Sequence, residues 1–108
     1  MYTAYITSKM NEFMFRLSEK MGKWLNKKLP KITENWWDEL VFSNLSMLQR
    51  EKVLSSNIHE LRGLDLASLL RVFDRNWFVV TSTFFINNRE RGNIRKMQEV
   101  RNGESLLY

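Results

Sequence analysis

Residues 65–84 read DLASLLRVFDRNWFVVTSTF, and the fold class turns on whether this run is a helix or ends as a strand. The portion from Phe78 to Ile86 is rich in β-branched and aromatic residues, and local propensity alone would make it a strand. The apolar spacing argues otherwise. Leu66, Leu69, Leu70, Phe73, Trp77, Val80 and Phe84 continue one stripe at helical steps, as a helix of about 3.6 residues per turn requires. An alternating strand would put Phe78 and Val80 opposite nothing obvious. Asp65 stands where an N-cap carboxylate accepts the first unpaired N–H groups. The period therefore predicts one amphipathic helix starting near Asp65.

The same period extends outward in both directions. Ile6, Met10, Phe13, Leu17, Met21 and Trp24 recur at steps of three or four, predicting a first helix from about Ala4 to Lys28. Pro30 ends it, because its ring lacks an N–H and restricts the residue before it. A short helix follows from Glu34 to Phe42 and contains Trp36–Trp37, whose rings are expected to cover the seam between helices. Leu45 to Leu54 forms another, with Leu45, Leu48 and Met47 facing inward. Ser55 to Gly63 is a connecting loop. Asn87–Asn88 breaks the chain and can cap a last helix from about Arg89 to Asn102, with Ile94, Met97, Gln98 and Arg101 on one face. Gly103 is a C-terminal stop. The expected architecture is all-α, an antiparallel four- to five-helix bundle, in a single domain over residues 1–108.

Composition narrows the function classes. The chain has no Cys and one His, His59, so no disulfide, thiolate or clustered metal site is expected, and no cofactor. There is no glycine-rich phosphate loop. No signal peptide shows, and the uncharged run from Asn76 to Asn88 is too short to span a bilayer. A cytoplasmic location is expected, without a membrane partner. The net charge is +5. The excess lies in Lys9, Arg16, Lys20, Lys23, Lys27, Lys28 and Lys31, and again in Arg89, Arg91, Arg95, Lys96 and Arg101. It favours an anionic partner, although on charge alone a solvated helix face is the simpler explanation. Glu90, Glu99 and Glu104 read as ion-pair partners for Arg95, Lys96 and Arg101. Arg71, Asp74, Arg75 and Asn76 form a polar cluster on an otherwise apolar helix, where Arg71 with Asp74 or Arg75 could simply be an exposed ion-pair row.

The run from Leu64 to Trp77, with its Leu-Asp-Leu-Ala and Asp-Arg-Asn-Trp segments, resembles the central helix of one subgroup of HEPN domains. That subgroup is named after a yeast nuclear RNA endoribonuclease and also occurs in bacterial proteins linked to ATPases and helicases. The resemblance extends to Trp36–Trp37, to Leu45–Gln49 and to the segment from Lys96 to Asn102, and covers most of residues 36–102. It implies a helical bundle that pairs with itself or with another HEPN protein and places two copies of an Arg-Asn-x-x-x-His motif at one RNA-cleaving site. That reaction is metal-independent, with histidine moving the proton and arginine holding the phosphate. Arg101 and Asn102 match the first two motif positions, and Leu106 stands where the histidine belongs. Leucine cannot move a proton. The change after so close a match suggests truncation, an altered reading frame or decay.

The reading that follows is a catalytically impaired HEPN domain, a dimerising module that holds RNA in an RNA-processing, toxin–antitoxin or phage-defence setting. Arg95, Lys96 and Arg101 would contact RNA, Asn102 would order the site, and Asp74, Arg75 and Asn76 would support it. Two alternatives are a working metal-independent endoribonuclease with an unexpected proton donor, and a non-RNA assembly module of a larger ATPase or helicase system.

Overall fold

Helix α1 runs from Tyr2 to Lys28, α2 from Met47 to Ser55, α3 from Leu66 to Thr83 and α4 from Asn88 to Arg101. The computed structural model describes the backbone of residues 2–101 and the side chains of residue 9 and residues 11–99. Short 3-10 turns cover Leu29–Lys31, Phe42–Asn44 and Leu61–Gly63, and a π-helical turn covers Trp37–Val41. The all-α bundle expected from the spacing is the fold, with no strand among the described residues. No described helix is long and apolar enough to cross a membrane.

The stripe that decides the fold is the spine of the core. Leu69, Phe73 and Val80 are buried, with Leu66, Leu70, Trp77 and Phe84 half-buried beside them. Phe73 lies between Trp24 of α1 and Trp77, each ring centroid 5.6 Å from its own. Such tilted and edge-on contacts suit the quadrupoles of aromatic rings. The β-branched end of α3 stays helical to Thr83, and the hydroxyls of Thr81 and Thr83 donate back to the carbonyls of Trp77 and Val79. Such back-bonding satisfies polar side chains within a helix. Phe84 then turns extended and closes the helix.

Asp65 caps α3 as its sequence position suggests, with Oδ1 accepting from the Ser68 N–H at 2.8 Å. Burial alone would raise its pKa, but the Ser68 backbone and hydroxyl and the Lys52 ammonium hold it below the ordinary value. Asp65→Ala is expected to cost about 1 kcal/mol in urea unfolding, the usual cost of a lost cap, and Asp65→Asn much less.

On α1, Leu17, Met21 and Leu25 are buried and Trp24 is half-buried. The expected inward role of Phe13 does not hold, since it is exposed, and the side chains of Ile6 and Met10 lie outside the described residues. The largest correction falls on α2. Leu45 is buried as expected, but Met47 and Leu48 are 77% and 78% exposed, and Val53 is the buried residue of the helix. The reason is the helix start. Ser46 and Gln49 form a reciprocal capping box, with Ser46 Oγ accepting from the Gln49 N–H and Gln49 Oε1 from the Ser46 N–H. This places Leu45 before the helix in extended backbone and turns Met47 and Leu48 outward.

The expected short helix over 34–42 is instead irregular, passing from a π-turn into a 3-10 turn. Carbonyls in such a switch lose regular helical partners. Side chains from other elements supply them. Asn76 Nδ2 donates to the Leu40 carbonyl at 2.7 Å. Arg50 donates to the carbonyls of Phe42 and Ser43, and Arg71 Nε to that of Asn44 at 2.7 Å. The Trp36 and Trp37 rings meet edge to face 5.9 Å apart, and both are half-buried against the core, as expected for seam residues.

Candidate nucleic-acid interface

Helix α4 carries most of the residues expected to meet RNA. Asn87 caps it, its side-chain oxygen accepting from the Glu90 N–H at 2.9 Å. Ile94 and Met97 enter the core, leaving Arg89, Arg91, Arg95 and Lys96 exposed. Adjacent helical positions diverge by about 100°, so Arg95 and Lys96 do not converge on one point. By the same period, position 101 lies in line with Ile94 and Met97, away from both. The Arg101 side chain and the whole of Asn102 and Leu106 lie outside the described residues.

The supporting residues on α3 separate. Asp74 and Arg75 are exposed, whereas Asn76 is 2% exposed and donates to the carbonyls of Leu40 and Val72. Asn76 therefore serves the irregular segment over residues 37–44. Arg71 serves the same segment, its Nε donating to the Asn44 carbonyl.

Glu90 was expected to pair along its own helix with the α4 cations. It turns to α1 instead. Its Oε2 lies 3.2 Å from Lys28 Nζ and accepts from the Trp24 indole N–H at 3.2 Å. Lys28 also lies over the Phe84 ring, 5.1 Å from its centroid. Burial pushes the Glu90 carboxyl upward, but bonds from Lys28 and Trp24 and the charges of Lys28 and Lys27 outweigh it and lower its pKa. This contact ties the first turn of α4 to the last turn of α1. The pairing was not legible in the sequence because helical spacing offers nearer partners on α4 itself.

A second feature, absent from the sequence reading, is a cleft of about 760 Å³ between α1 and the corner around residues 59–64. Phe15, Trp36 and Leu61 supply apolar surface, and Lys23, His59 and Arg62 line it as well. His59 is exposed, and its Nε2 lies 2.7 Å from Oδ1 of Asn57, which holds a left-handed φ of 54°. Asparagine is among the residues that tolerate this conformation best. No group of three His, Asp or Glu side chains gathers for a metal among the described residues.

Gly22 lies in the cleft wall within α1. It is buried, yet a Cβ added there would meet nothing within 4 Å. Packing therefore gives no reason for the glycine. Gly22→Ala is expected to stabilise the domain by about 0.5–1 kcal/mol in thermal or urea unfolding, the helix-propensity difference.

The chain matches no family model, no curated protein and no solved structure.

Proposed function

We propose that this chain is a HEPN-like pairing module that holds RNA without cutting it. The reading rests on the resemblance of residues 64–77 and 96–102, and the observation that carries it is Leu106 after an intact Arg101-Asn102 pair. Without the histidine, the motif keeps a cation for phosphate and loses its proton carrier. The exposed face of α4 with Arg95 and Lys96 supports the RNA-holding part, since guanidinium and ammonium groups held on a rigid helix contact phosphates without reading sequence. Asp74 and Arg75, exposed on α3, are the supporting residues in this reading. Pairing with a second copy or with another HEPN protein would bring two Arg101-Asn102 segments to one RNA.

The test is a gel shift with labelled RNA at low salt, in the presence of a chelator. The wild-type chain should retard the RNA and leave it uncut, and Arg95→Gln/Lys96→Gln/Arg101→Gln should release it. Light scattering at micromolar concentration should give twice the mass of one chain. A monomer that leaves RNA unshifted contradicts the proposal. Cleavage that disappears in Arg101→Ala would instead establish a working nuclease.

A further inference from the structure

Helix α1 carries a row of exposed cations away from its buried face. Arg16, Lys20, Lys23 and Lys27 follow at steps of four, three and four, and all are exposed. Helical spacing puts them in one line about 16 Å long. The buried residues Leu17, Met21 and Leu25 lie on a different face of the same helix. Arg16 meets Glu12 at 2.6 Å and the charge of Lys27 acts on Glu90, while Lys20 and Lys23 make no hydrogen bond or ion pair with described residues.

Lys23 also borders the cleft, so the cationic row and the cleft form one continuous surface. The cleft offers two aromatic side chains, Trp36 and Phe15, beside the bare backbone at Gly22. On its far side stand His59 and Arg62. Glu19 and Glu60 also line it, and Glu60 is engaged by Arg62 at 3.6 Å. A row of cations fits a backbone of phosphates. A concave slot with aromatic side chains and a glycine in its wall fits a flat, uncharged ring. These two requirements meet in a single strand of nucleic acid, whose bases are free to leave the stack. A duplex supplies the phosphates but not the free base, and a flat membrane surface does not enter the slot.

We propose that α1 and the adjoining cleft bind single-stranded nucleic acid, with phosphates along Arg16, Lys20, Lys23 and Lys27 and one base in the cleft beside Gly22. This surface is separate from the Arg95 and Lys96 face of α4 and does not depend on the reading given above for that helix.

Fluorescence anisotropy of the full chain with an unstructured labelled RNA of about 12 nucleotides, within the range of single-strand site sizes, tests it. Lys20→Gln/Lys23→Gln/Lys27→Gln should flatten the slope of log affinity against log salt by about 2, as expected for three lost phosphate contacts. Gly22→Leu fills the slot and should weaken single-strand binding by about 5-fold or more, the lower end of one lost stacking contact, while sparing duplex binding. Circular dichroism should show the helix content of both variants unchanged. An unchanged salt slope in the triple variant overturns the proposal, as does equal loss of single-strand and duplex binding in Gly22→Leu. Binding to phosphatidylserine vesicles without binding to RNA also overturns it. Loss of RNA binding only in Arg95→Gln/Lys96→Gln would leave the α4 reading standing and remove this one. Loss only in the lysine variant would do the reverse.

Discussion

Asn76→Asp is expected to destabilise the domain by about 3–5 kcal/mol, more than Asn76→Ala, although aspartate is nearly isosteric with asparagine. The native amide is 2% exposed and donates to two carbonyls, Leu40 at 2.7 Å and Val72 at 2.8 Å. Alanine removes the donor and leaves a small void. The Leu40 carbonyl keeps the Asn44 amide at 2.8 Å, so that loss should be about 2 kcal/mol. A carboxylate instead aims negative charge at two carbonyl oxygens in a buried site. Burial without a cation favours the neutral acid. The aspartate variant should therefore recover stability as pH falls and its carboxyl takes up a proton that can be donated. Urea unfolding followed by tryptophan fluorescence at neutral and mildly acidic pH measures both effects. Equal losses for Ala and Asp would show that a carboxylate facing the two carbonyls adds no penalty beyond the lost donor.

Glu90→Ala is expected to cost about 3 kcal/mol, at the low end for breaking a buried ion pair. The Lys28 side chain is 9% exposed and would lose its counter-charge, while Glu90 is 22% exposed, which moderates the penalty. Trp24 would also lose the acceptor of its indole N–H. A double-mutant cycle with Lys28→Met separates the pair from its surroundings: Glu90→Ala should cost much less when Lys28 is already methionine. The pH dependence has a definite sign. The folded pKa of Glu90 lies below its ordinary value of 4.5. Its stabilisation is thus fully present above that value and is lost as pH falls through the lower folded pKa. The stability gap between wild type and Glu90→Gln should narrow over that acidic window. A gap that stays constant with pH would mean that the Glu90 charge contributes nothing.

The sequence made the regular elements legible and hid what joins them. The α3 stripe from Leu66 to Phe84, the Asp65 cap, the stop at Pro30 and the break at Asn87 are local signals, and each governs the structure where it stands. The inward role assigned to Met47 and Leu48 failed because apolar content does not fix helix register, whereas the Ser46–Gln49 box does. Asn76 and Arg71 looked like a polar cluster available for function. Their task became visible only once the segment over residues 37–44 was seen to be irregular, with carbonyls needing donors from other elements. Glu90 went astray for a related reason, since its partners Trp24 and Lys28 are distant in sequence. Of the candidate site, Arg95 and Lys96 are exposed as the reading requires, but the period of α4 turns them away from position 101. The cleft beside Gly22 had no sequence signature beyond a glycine inside a helix.

The most direct test of the proposed function is the salt dependence of RNA binding by the wild-type chain. Anisotropy titrations from about 50 to 200 mM salt should give weak but measurable binding at the low end and a log–log slope of about −2 or steeper, the value for three single-strand phosphate contacts. Absence of binding at the low end, or binding that does not respond to salt, would contradict an RNA-holding module built on exposed arginine and lysine.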